Sequence, residues 1–113
     1  MKKLIMLALI CLTVISGYAQ RHGGKVIEDS LNSDILGRNK KFCVYLPKSY
    51  DKETERSYPV LYLLHGLTNN YKSWRDLGNI GPIANQIINA GSANEMIIIM
   101  PDAGTDYDGY FNC

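Results

Sequence analysis

The 113-residue chain has almost no excess of charge of either sign, with 12 Lys and Arg residues against 11 Asp and Glu residues. A protein that binds nucleic acid or an anionic membrane through its charge carries a basic patch, and no such patch is present. Hydrophobic residues make up 46% of the chain and charged residues 20%, as in ordinary globular domains. The composition therefore argues against nucleic acid and membrane surfaces as partners.

Metal-binding residues are also scarce. The chain has 2 histidines and 3 cysteines, without a C-x-x-C pair or a histidine cluster, so we expect no metal site and no cofactor. Cys43 lies inside a strand pattern and Cys113 is the last residue. These two thiols could pair in an exported chain, but the strand pattern favours a small buried hydrophobic role for Cys43.

No apolar run reaches the roughly 20 residues that a membrane-spanning helix needs. The N-terminal apolar segment Leu4–Ile15 follows two lysines and precedes the small residues around Gly17-Tyr18-Ala19. This order is typical of a secretory signal peptide. We therefore expect residues 1–19 to be a signal peptide, the protein to be secreted or periplasmic, and no membrane association after cleavage.

The most informative stretch is Tyr58–Asn70, which reads Y-P-V-L-Y-L-L-H-G-L-T-N-N. Its apolar run, Val60–Leu64, ends at His65 and Gly66 and is followed by polar residues. A short apolar run bounded by turn residues predicts a strand buried on both faces of a parallel α/β sheet. Gly66 allows a sharp turn, so the loop is expected at the carboxyl end of a central strand, where α/β sheets bind ligands.

The residues before this stretch predict an antiparallel hairpin. Lys25–Leu36 suits one or two edge strands, Gly37–Lys40 is a turn signal, and Lys41–Pro47 alternates between two faces. Phe42, Val44 and Leu46 fall on one face of the second strand, and Cys43 and Tyr45 on the other.

The residues after this stretch predict a helix and a second parallel strand. Asn69–Asn79 is a polar loop, and the apolar residues that follow recur at helical spacing: Ile80, Ile83, Ala84, Ile87 and Ile88. Gly91 is well placed to end this helix. The apolar run Met96–Met100 then predicts a strand at an exposed sheet edge. A strand, a helix and a strand in this order form a βαβ unit, so the expected fold class is α/β.

The ordered series F-C-V-Y-L-P-K-S-Y, L-L-H-G-L-T-N-N-Y-K-S-W and I-I-I-M-P-D-A-G, spanning Lys41–Gly104, resembles the N-terminal half of the Putative esterase family. That family belongs to the α/β-hydrolase superfamily and includes feruloyl esterases, acetyl-xylan esterases and S-formylglutathione hydrolases. The resemblance implies a serine carboxylesterase whose substrate is a small-molecule or polysaccharide ester, with acetyl or feruloyl groups as candidates. It also implies that residues 20–113 form an incomplete α/β-hydrolase domain.

The nucleophile of such an enzyme is missing from this sequence. An α/β-hydrolase places its serine in G-x-S-x-G, followed later by an acid and a histidine. Ser92 follows a helix pattern and lacks the second glycine, and Ser73 lies in a loop. We therefore predict that this chain contains no nucleophile, acid or base and that it is truncated before the nucleophile elbow. We also predict that it is inactive alone.

The resemblance implies an oxyanion half-site instead. Leu67 would offer its backbone N–H to the oxyanion, with Gly66 and His65 supporting the loop. Trp74 and Tyr107 lie on loops at the same edge of the sheet, where they could bind substrate or cover the sheet.

Other interpretations remain open. An S-formylglutathione hydrolase-like thioesterase shares the motifs, although the signal peptide argues against a cytosolic substrate. A non-catalytic α/β-hydrolase-like binding protein would keep the sheet and lack the serine elbow. A short secreted domain could instead be stabilised by a partner or by dimerisation. The sequence specifies neither the acyl group nor the oligomeric state.

Overall fold

The computed structural model describes residues 23–104 and residue 110. They form a mixed sheet with the strand order β1-β2-β4-β3. The strands are β1 (Lys25–Ser33), β2 (Arg38–Leu46), β3 (Val60–Tyr62) and β4 (Ile97–Pro101), and the helices are α1 (Ser73–Asp76) and α2 (Ile80–Asn89). Within these residues, none of the helices combines the length and apolarity that crossing a membrane requires.

β1 and β2 form the predicted antiparallel hairpin. Ser33 pairs with Arg38 at its closed end, so the turn spans residues 34–37 and ends at Gly37, whose φ is 59°. Glycine adopts this left-handed conformation without the steric penalty of a side chain. The turn predicted over Gly37–Lys40 was placed too late, because backbone pairing extends the exposed end of the hairpin regardless of its polar side chains.

One face of the sheet carries the core. Cys43 of β2 pairs with Met100 of β4, and Tyr45 pairs with Ile98, so these four side chains share a face. All four are buried, Cys43 and Met100 completely. Cys43 is therefore the buried hydrophobic residue that was predicted. Its pairing with Cys113 lies outside the described residues.

α2 covers this face, as the apolar stripe predicted. Ala84 is buried, and Ile80 and Ile88 pack against the core, whereas Ile83 and Ile87 are exposed on its outer flank. Only one side of the predicted stripe therefore meets the sheet.

α2 ends where the sequence predicted. Gly91, with φ of 73°, donates its N–H to the Ile88 carbonyl at 3.0 Å, and Ser92 donates to Ile87 at 2.9 Å. These two bonds form a Schellman cap, which satisfies carbonyl groups that the last helical turn leaves unpaired.

β3 and β4 are parallel, with Val60 level with Ile97 and Tyr62 level with Ile99. Both helices lie in the crossover between these strands, which confirms the predicted βαβ unit and the α/β class. The short helix α1 was missed within the polar loop, because four residues are too few to show helical periodicity. The parallel arrangement brings the residues after β3 and after β4 to the same edge of the sheet.

The positions of β3 and β4 correct two predictions. β4 pairs with both β2 and β3, so the run Met96–Met100 lies inside the sheet and not at its edge. β3 is instead one of the two edge strands of the described sheet, and Val60, Leu61 and Tyr62 are 49%, 42% and 64% exposed. The prediction of a strand buried on both faces is therefore wrong for this part of the chain, because the described residues supply β3 with one neighbouring strand and little cover.

Candidate active site

The two parallel strands separate just beyond β3. Leu63 still donates its N–H to the Ile99 carbonyl of β4 at 2.9 Å. The next N–H on that side belongs to His65, and it donates at 2.7 Å to the phenol oxygen of Tyr110. This hydroxyl lies 3.5 Å from the Pro101 carbonyl oxygen. The Tyr110 hydroxyl therefore bridges the separating strand ends in place of a ladder hydrogen bond.

The His65 side chain lies between the ends of β3 and β4 and is only 3% exposed. Its Nε2 accepts the Ala103 N–H at 3.0 Å, so this nitrogen carries no proton. The proton therefore resides on Nδ1, which donates to the Gly66 carbonyl oxygen at 2.9 Å. Asp102 Oδ1 lies 3.5 Å from Nε2. The neutral imidazole thus connects the segment after β4 to the first peptide of the loop after β3.

The peptide between Gly66 and Leu67 is oriented by two hydrogen bonds. Its carbonyl oxygen accepts from His65 Nδ1 at 2.9 Å and from the Asn69 N–H at 3.1 Å. The carbonyl and the N–H of a trans peptide point in opposite directions, so these bonds direct the Leu67 N–H away from the turn. Across residues 23–104 and 110, no acceptor pairs with this N–H. The loop therefore presents one oriented and available backbone donor.

A strained residue follows this donor. Thr68 occupies the third position of the Gly66–Asn69 turn with φ of 68°, a conformation that β-branched residues rarely adopt. Such a backbone conformation costs on the order of 1–3 kcal/mol and persists only where the surroundings hold it. Contacts with the rest of the structure must therefore hold this turn.

Trp74 of α1 provides one of these contacts. Its indole N–H donates to the Leu64 carbonyl oxygen at 3.1 Å, which closes the loop back onto the end of the strand. A Cβ at position 78 would lie 2.8 Å from the Trp74 carbonyl oxygen, so a glycine is required there, just after α1. Trp74 remains 39% exposed. The residue that the sequence predicted to bind substrate therefore also holds the loop.

The structure brings together three of the residues that the sequence singled out: His65, Gly66 and Leu67. Tyr107, the other predicted substrate-binding residue, lies outside the described residues. The bridging roles of Ala103 and Tyr110 were missed, because both contacts cross about 40 positions of sequence and leave no local motif. The only signal was their position after a strand that was expected to run parallel to β3.

Neither of the serines considered from sequence has a nucleophile's surroundings among the described residues. Ser73 Oγ accepts the Asn70 N–H at 3.1 Å, and Ser92 follows the C-terminal cap of α2. The arrangement supplies an oriented donor and the residues that hold it.

Comparison with known proteins shows which family this chain resembles. Residues 33–113 match the family model described as Putative esterase. The endo-1,4-beta-xylanase/feruloyl esterase of Xylanibacter ruminicola is 34% identical over 80 residues, which are 68% of this chain and 11% of that protein.

Solved structures show the same relationship. A ferulic acid esterase is 36% identical with a TM-score of 0.72, and the match covers 80% of this chain and 34% of that chain. The ferulic acid esterase of Anaeromyces mucronatus is 30% identical with a TM-score of 0.63, covering 80% and 35%. An S-formylglutathione hydrolase from Staphylococcus aureus, at 24% identity and a TM-score of 0.57, shares the fold.

The chain spans about a third of the length of these solved structures, 34% and 35% for the two ferulic acid esterases. The family match includes β3, the loop that follows it and β4. The mixed sheet and its parallel βαβ unit are those of α/β-hydrolase-type esterases, and the chain belongs to the Putative esterase family.

Proposed function

We propose that residues 20–113, after removal of a signal peptide over residues 1–19, form the N-terminal portion of a secreted serine carboxylesterase and supply one donor of its oxyanion hole. The observation that carries this proposal is the outward-directed Leu67 N–H, whose peptide carbonyl accepts hydrogen bonds of 2.9 Å and 3.1 Å. The feruloyl esterase relatives support it, because their similarity covers this loop.

The role of the donor follows from the chemistry of ester hydrolysis. Negative charge develops on the ester carbonyl oxygen as a nucleophile attacks, and a fixed N–H stabilises that charge more than it stabilises the neutral ester. Losing one such donor raises the barrier by about 3–4 kcal/mol. The Leu67 N–H needs no reorganisation during the reaction, because His65 and Asn69 already hold its peptide.

His65 acts in this proposal as a positioning residue and not as the base. Both imidazole nitrogens are occupied, Nε2 by the Ala103 N–H and Nδ1 by the Gly66 carbonyl. A base needs a free nitrogen within reach of the proton that it accepts. We therefore assign the nucleophile, the acid and the base of the proposed enzyme to sequence beyond residue 113.

The exposed edge of β3 supports the proposal that the complete protein has a larger sheet. Strands in parallel sheets are normally covered on both faces and paired on both edges. Val60, Leu61 and Tyr62 meet neither condition within the described residues, since all three are exposed and β3 pairs with β4 alone. In the complete esterase, we assign this edge to the next strand of the sheet.

The proposed substrates are acetyl or feruloyl esters of plant polysaccharide. Relatives that match this region are described as feruloyl or ferulic acid esterases. Trp74 leaves part of its indole exposed beside the loop, where it would stack on an aryl or sugar group, and Tyr107 is assigned the same role.

Expression of the complete reading frame that contains this chain tests the proposal. The product, without its leader, is assayed on methyl ferulate, p-nitrophenyl acetate and S-formylglutathione. We expect hydrolysis of the two oxygen esters and inactivation by a serine-reactive phosphonate. Residues 20–113 expressed alone are the control, and we expect them to be inactive.

Three results would contradict the proposal. A complete product that hydrolyses no ester would favour a binding protein on the same fold. Turnover of S-formylglutathione in preference to both oxygen esters would favour the thioesterase alternative. Robust hydrolysis by residues 20–113 alone would place the nucleophile within this chain.

A further inference from the structure

Glu28 is an ionisable residue on the core-facing side of the sheet. It pairs with Cys43 across the hairpin, and Cys43 is fully buried, so the two side chains share a face. The Glu28 side chain is 38% exposed, so burial does not force it to be paired, and its role follows from the groups that it contacts. Asp29, the next residue, pairs with Phe42 and points to the opposite face.

Among the described residues, the side-chain partners of Glu28 come from one distant segment, residues 71–75. Tyr71 donates its hydroxyl to Glu28 Oε1 at 2.6 Å, and Arg75 Nη1 donates to Oε2 at 3.2 Å. Lys72 Nζ lies 3.7 Å from Oε1. The hydrogen bond from Tyr71, followed by that from Arg75, lowers the pKa of the Glu28 carboxyl. Glu28 thus attaches this segment to β1, at the opposite side of the sheet from β3.

This segment continues directly from the turn that carries the candidate donor. Between them lies Asn70, whose side-chain oxygen accepts the Lys72 N–H at 2.9 Å and whose N–H donates to Ser73 Oγ at 3.1 Å. Ser73 N–H returns to the Asn70 carbonyl at 3.0 Å. These bonds make the connection between the Gly66–Asn69 turn and Tyr71 short and rigid. A displacement of Tyr71 would therefore also displace the turn.

The strained Thr68 lies between two attachments. His65 holds the turn on its strand side through the Gly66 carbonyl at 2.9 Å. Tyr71, which is buried in the core, holds it on its helix side through Glu28. A residue with φ of 68° relaxes when either side is released, because its strain is maintained by its surroundings.

We propose that Glu28 is a positioning residue for the reaction, which holds the oxyanion turn in its strained conformation through Tyr71. This inference rests on the proposed esterase function. It assigns a role in transition-state stabilisation to a residue about 40 positions upstream of the donor and on the far strand of the sheet.

Substitutions in the complete esterase test this role. We expect Glu28→Ala and Tyr71→Phe each to lower kcat about tenfold with KM changed less than about twofold, because oxyanion donors act in the transition state. Glu28→Gln keeps an acceptor for the Tyr71 hydroxyl and should restore most of kcat. Asp29→Ala, on the opposite face of the same strand, is the matched control and should retain the parent kcat.

Hydrogen exchange gives a readout that does not require activity. The amides to follow are the hydrogen-bonded ones of Asn69, Asn70 and Lys72. They should exchange about tenfold faster in Glu28→Ala than in the parent or in Asp29→Ala, with exchange in α2 unchanged. If Glu28→Ala does not fold, Tyr71→Phe, which keeps the buried ring, provides the same two measurements.

The outcomes separate this inference from the esterase proposal. Unchanged kcat and unchanged exchange over residues 66–72 in Glu28→Ala and Tyr71→Phe would overturn the positioning role while leaving an active esterase. Equal losses of kcat in Glu28→Ala and Asp29→Ala would also overturn it, since a general loss of stability would then explain both. A complete product without esterase activity would overturn the proposed function, and faster exchange in the variants would still establish the attachment.

Discussion

The two ends of the β3–β4 pair are built differently. At the amino end, polar side chains satisfy one another: Glu95 Oε2 accepts from Ser49 Oγ at 2.7 Å and from Arg56 Nη1 at 2.7 Å. Tyr58 contributes its hydroxyl, 2.6 Å from Ser49 Oγ, and its ring, 4.9 Å from the Arg56 guanidinium. At the carboxyl end, side chains are used to orient a backbone donor that has no acceptor among the described residues, beside a strained Thr68.

This difference separates a structural cluster from a candidate functional one. Each group of the amino-end cluster, Ser49, Arg56, Tyr58 and Glu95, already has a partner within it. The cluster therefore stabilises the loop before β3 and offers little to a ligand. The carboxyl end keeps a strained conformation and an available donor, which are features that folding alone does not favour.

Among the side-chain substitutions, those at the two nitrogens of His65 should lower kcat most. His65→Gln places an amide near the Nε2 position and leaves the Gly66 carbonyl with the Asn69 N–H as its remaining donor, so we expect kcat to fall about 10- to 100-fold. His65→Asn keeps a donor near the Nδ1 position and leaves the Ala103 N–H without an acceptor. It should keep kcat within about fivefold but lower the free energy of unfolding by about 1–3 kcal/mol. Steady-state kinetics and urea unfolding of the complete esterase measure both, and the reverse order of kcat would contradict this assignment.

The amino-end cluster should show the opposite separation. Glu95→Ala removes the acceptor shared by Ser49 and Arg56, and we expect the free energy of unfolding to fall by about 1–2 kcal/mol. Because this cluster lies away from the oxyanion turn, kcat should change less than twofold. Glu55→Ala, an exposed acidic residue in the same loop, is the control and should have no effect on either quantity. A loss of kcat in Glu95→Ala would mean that the two ends are coupled.

The stability of the amino-end cluster should also depend on pH. The hydrogen bond from the Ser49 hydroxyl, with further contributions from the Ser49 N–H and Arg56, lowers the pKa of Glu95. A carboxyl whose folded pKa is below its unfolded value stabilises the fold above the unfolded pKa and loses that contribution as pH falls through the folded pKa. The stability difference between the parent and Glu95→Gln should therefore be constant from about pH 7 to 5 and shrink below about pH 4. Thermal unfolding at a series of pH values measures it, and a difference that stays constant to pH 3 would contradict the assignment.

The smallest expected effect is relief of strain at the carboxyl end. Asparagine tolerates the left-handed conformation better than threonine, so Thr68→Asn should raise the free energy of unfolding by about 0.5–1 kcal/mol. Thr54→Asn is the control, because no residue of the amino-end loop before β3 has a positive φ. It should produce no such gain. Equal changes in the two variants would show that Thr68 is not strained.

The sequence was informative where a pattern is local. The stripe from Ile80 to Ile88 predicted α2, Gly91 predicted its end, and the two apolar runs predicted β3 and β4. His65 and Gly66 were correctly located at the end of β3, because a His-Gly pair after an apolar run is visible in a single window of sequence.

The arrangement that depends on distant contacts could not be predicted. Local patterns do not distinguish an inner strand from an edge strand when both are short apolar runs, so the positions of β3 and β4 were exchanged. The Tyr110 bridge and the attachment of Tyr71 to Glu28 both join residues more than 40 positions apart. Neither residue type is unusual at its position, and only the folded sheet brings these pairs together.

The most direct test of the oxyanion assignment replaces the backbone N–H of residue 67 with the tertiary amide of proline. Leu67 occupies the second position of the Gly66–Asn69 turn, where proline is well tolerated, and its N–H has no acceptor among the described residues. Leu67→Pro in the complete esterase should therefore fold normally and lower kcat about 10²- to 10³-fold, while Leu67→Ala, which keeps the N–H, should stay within about threefold of the parent. A folded Leu67→Pro enzyme with the kcat of Leu67→Ala would contradict the claim that this N–H stabilises the oxyanion.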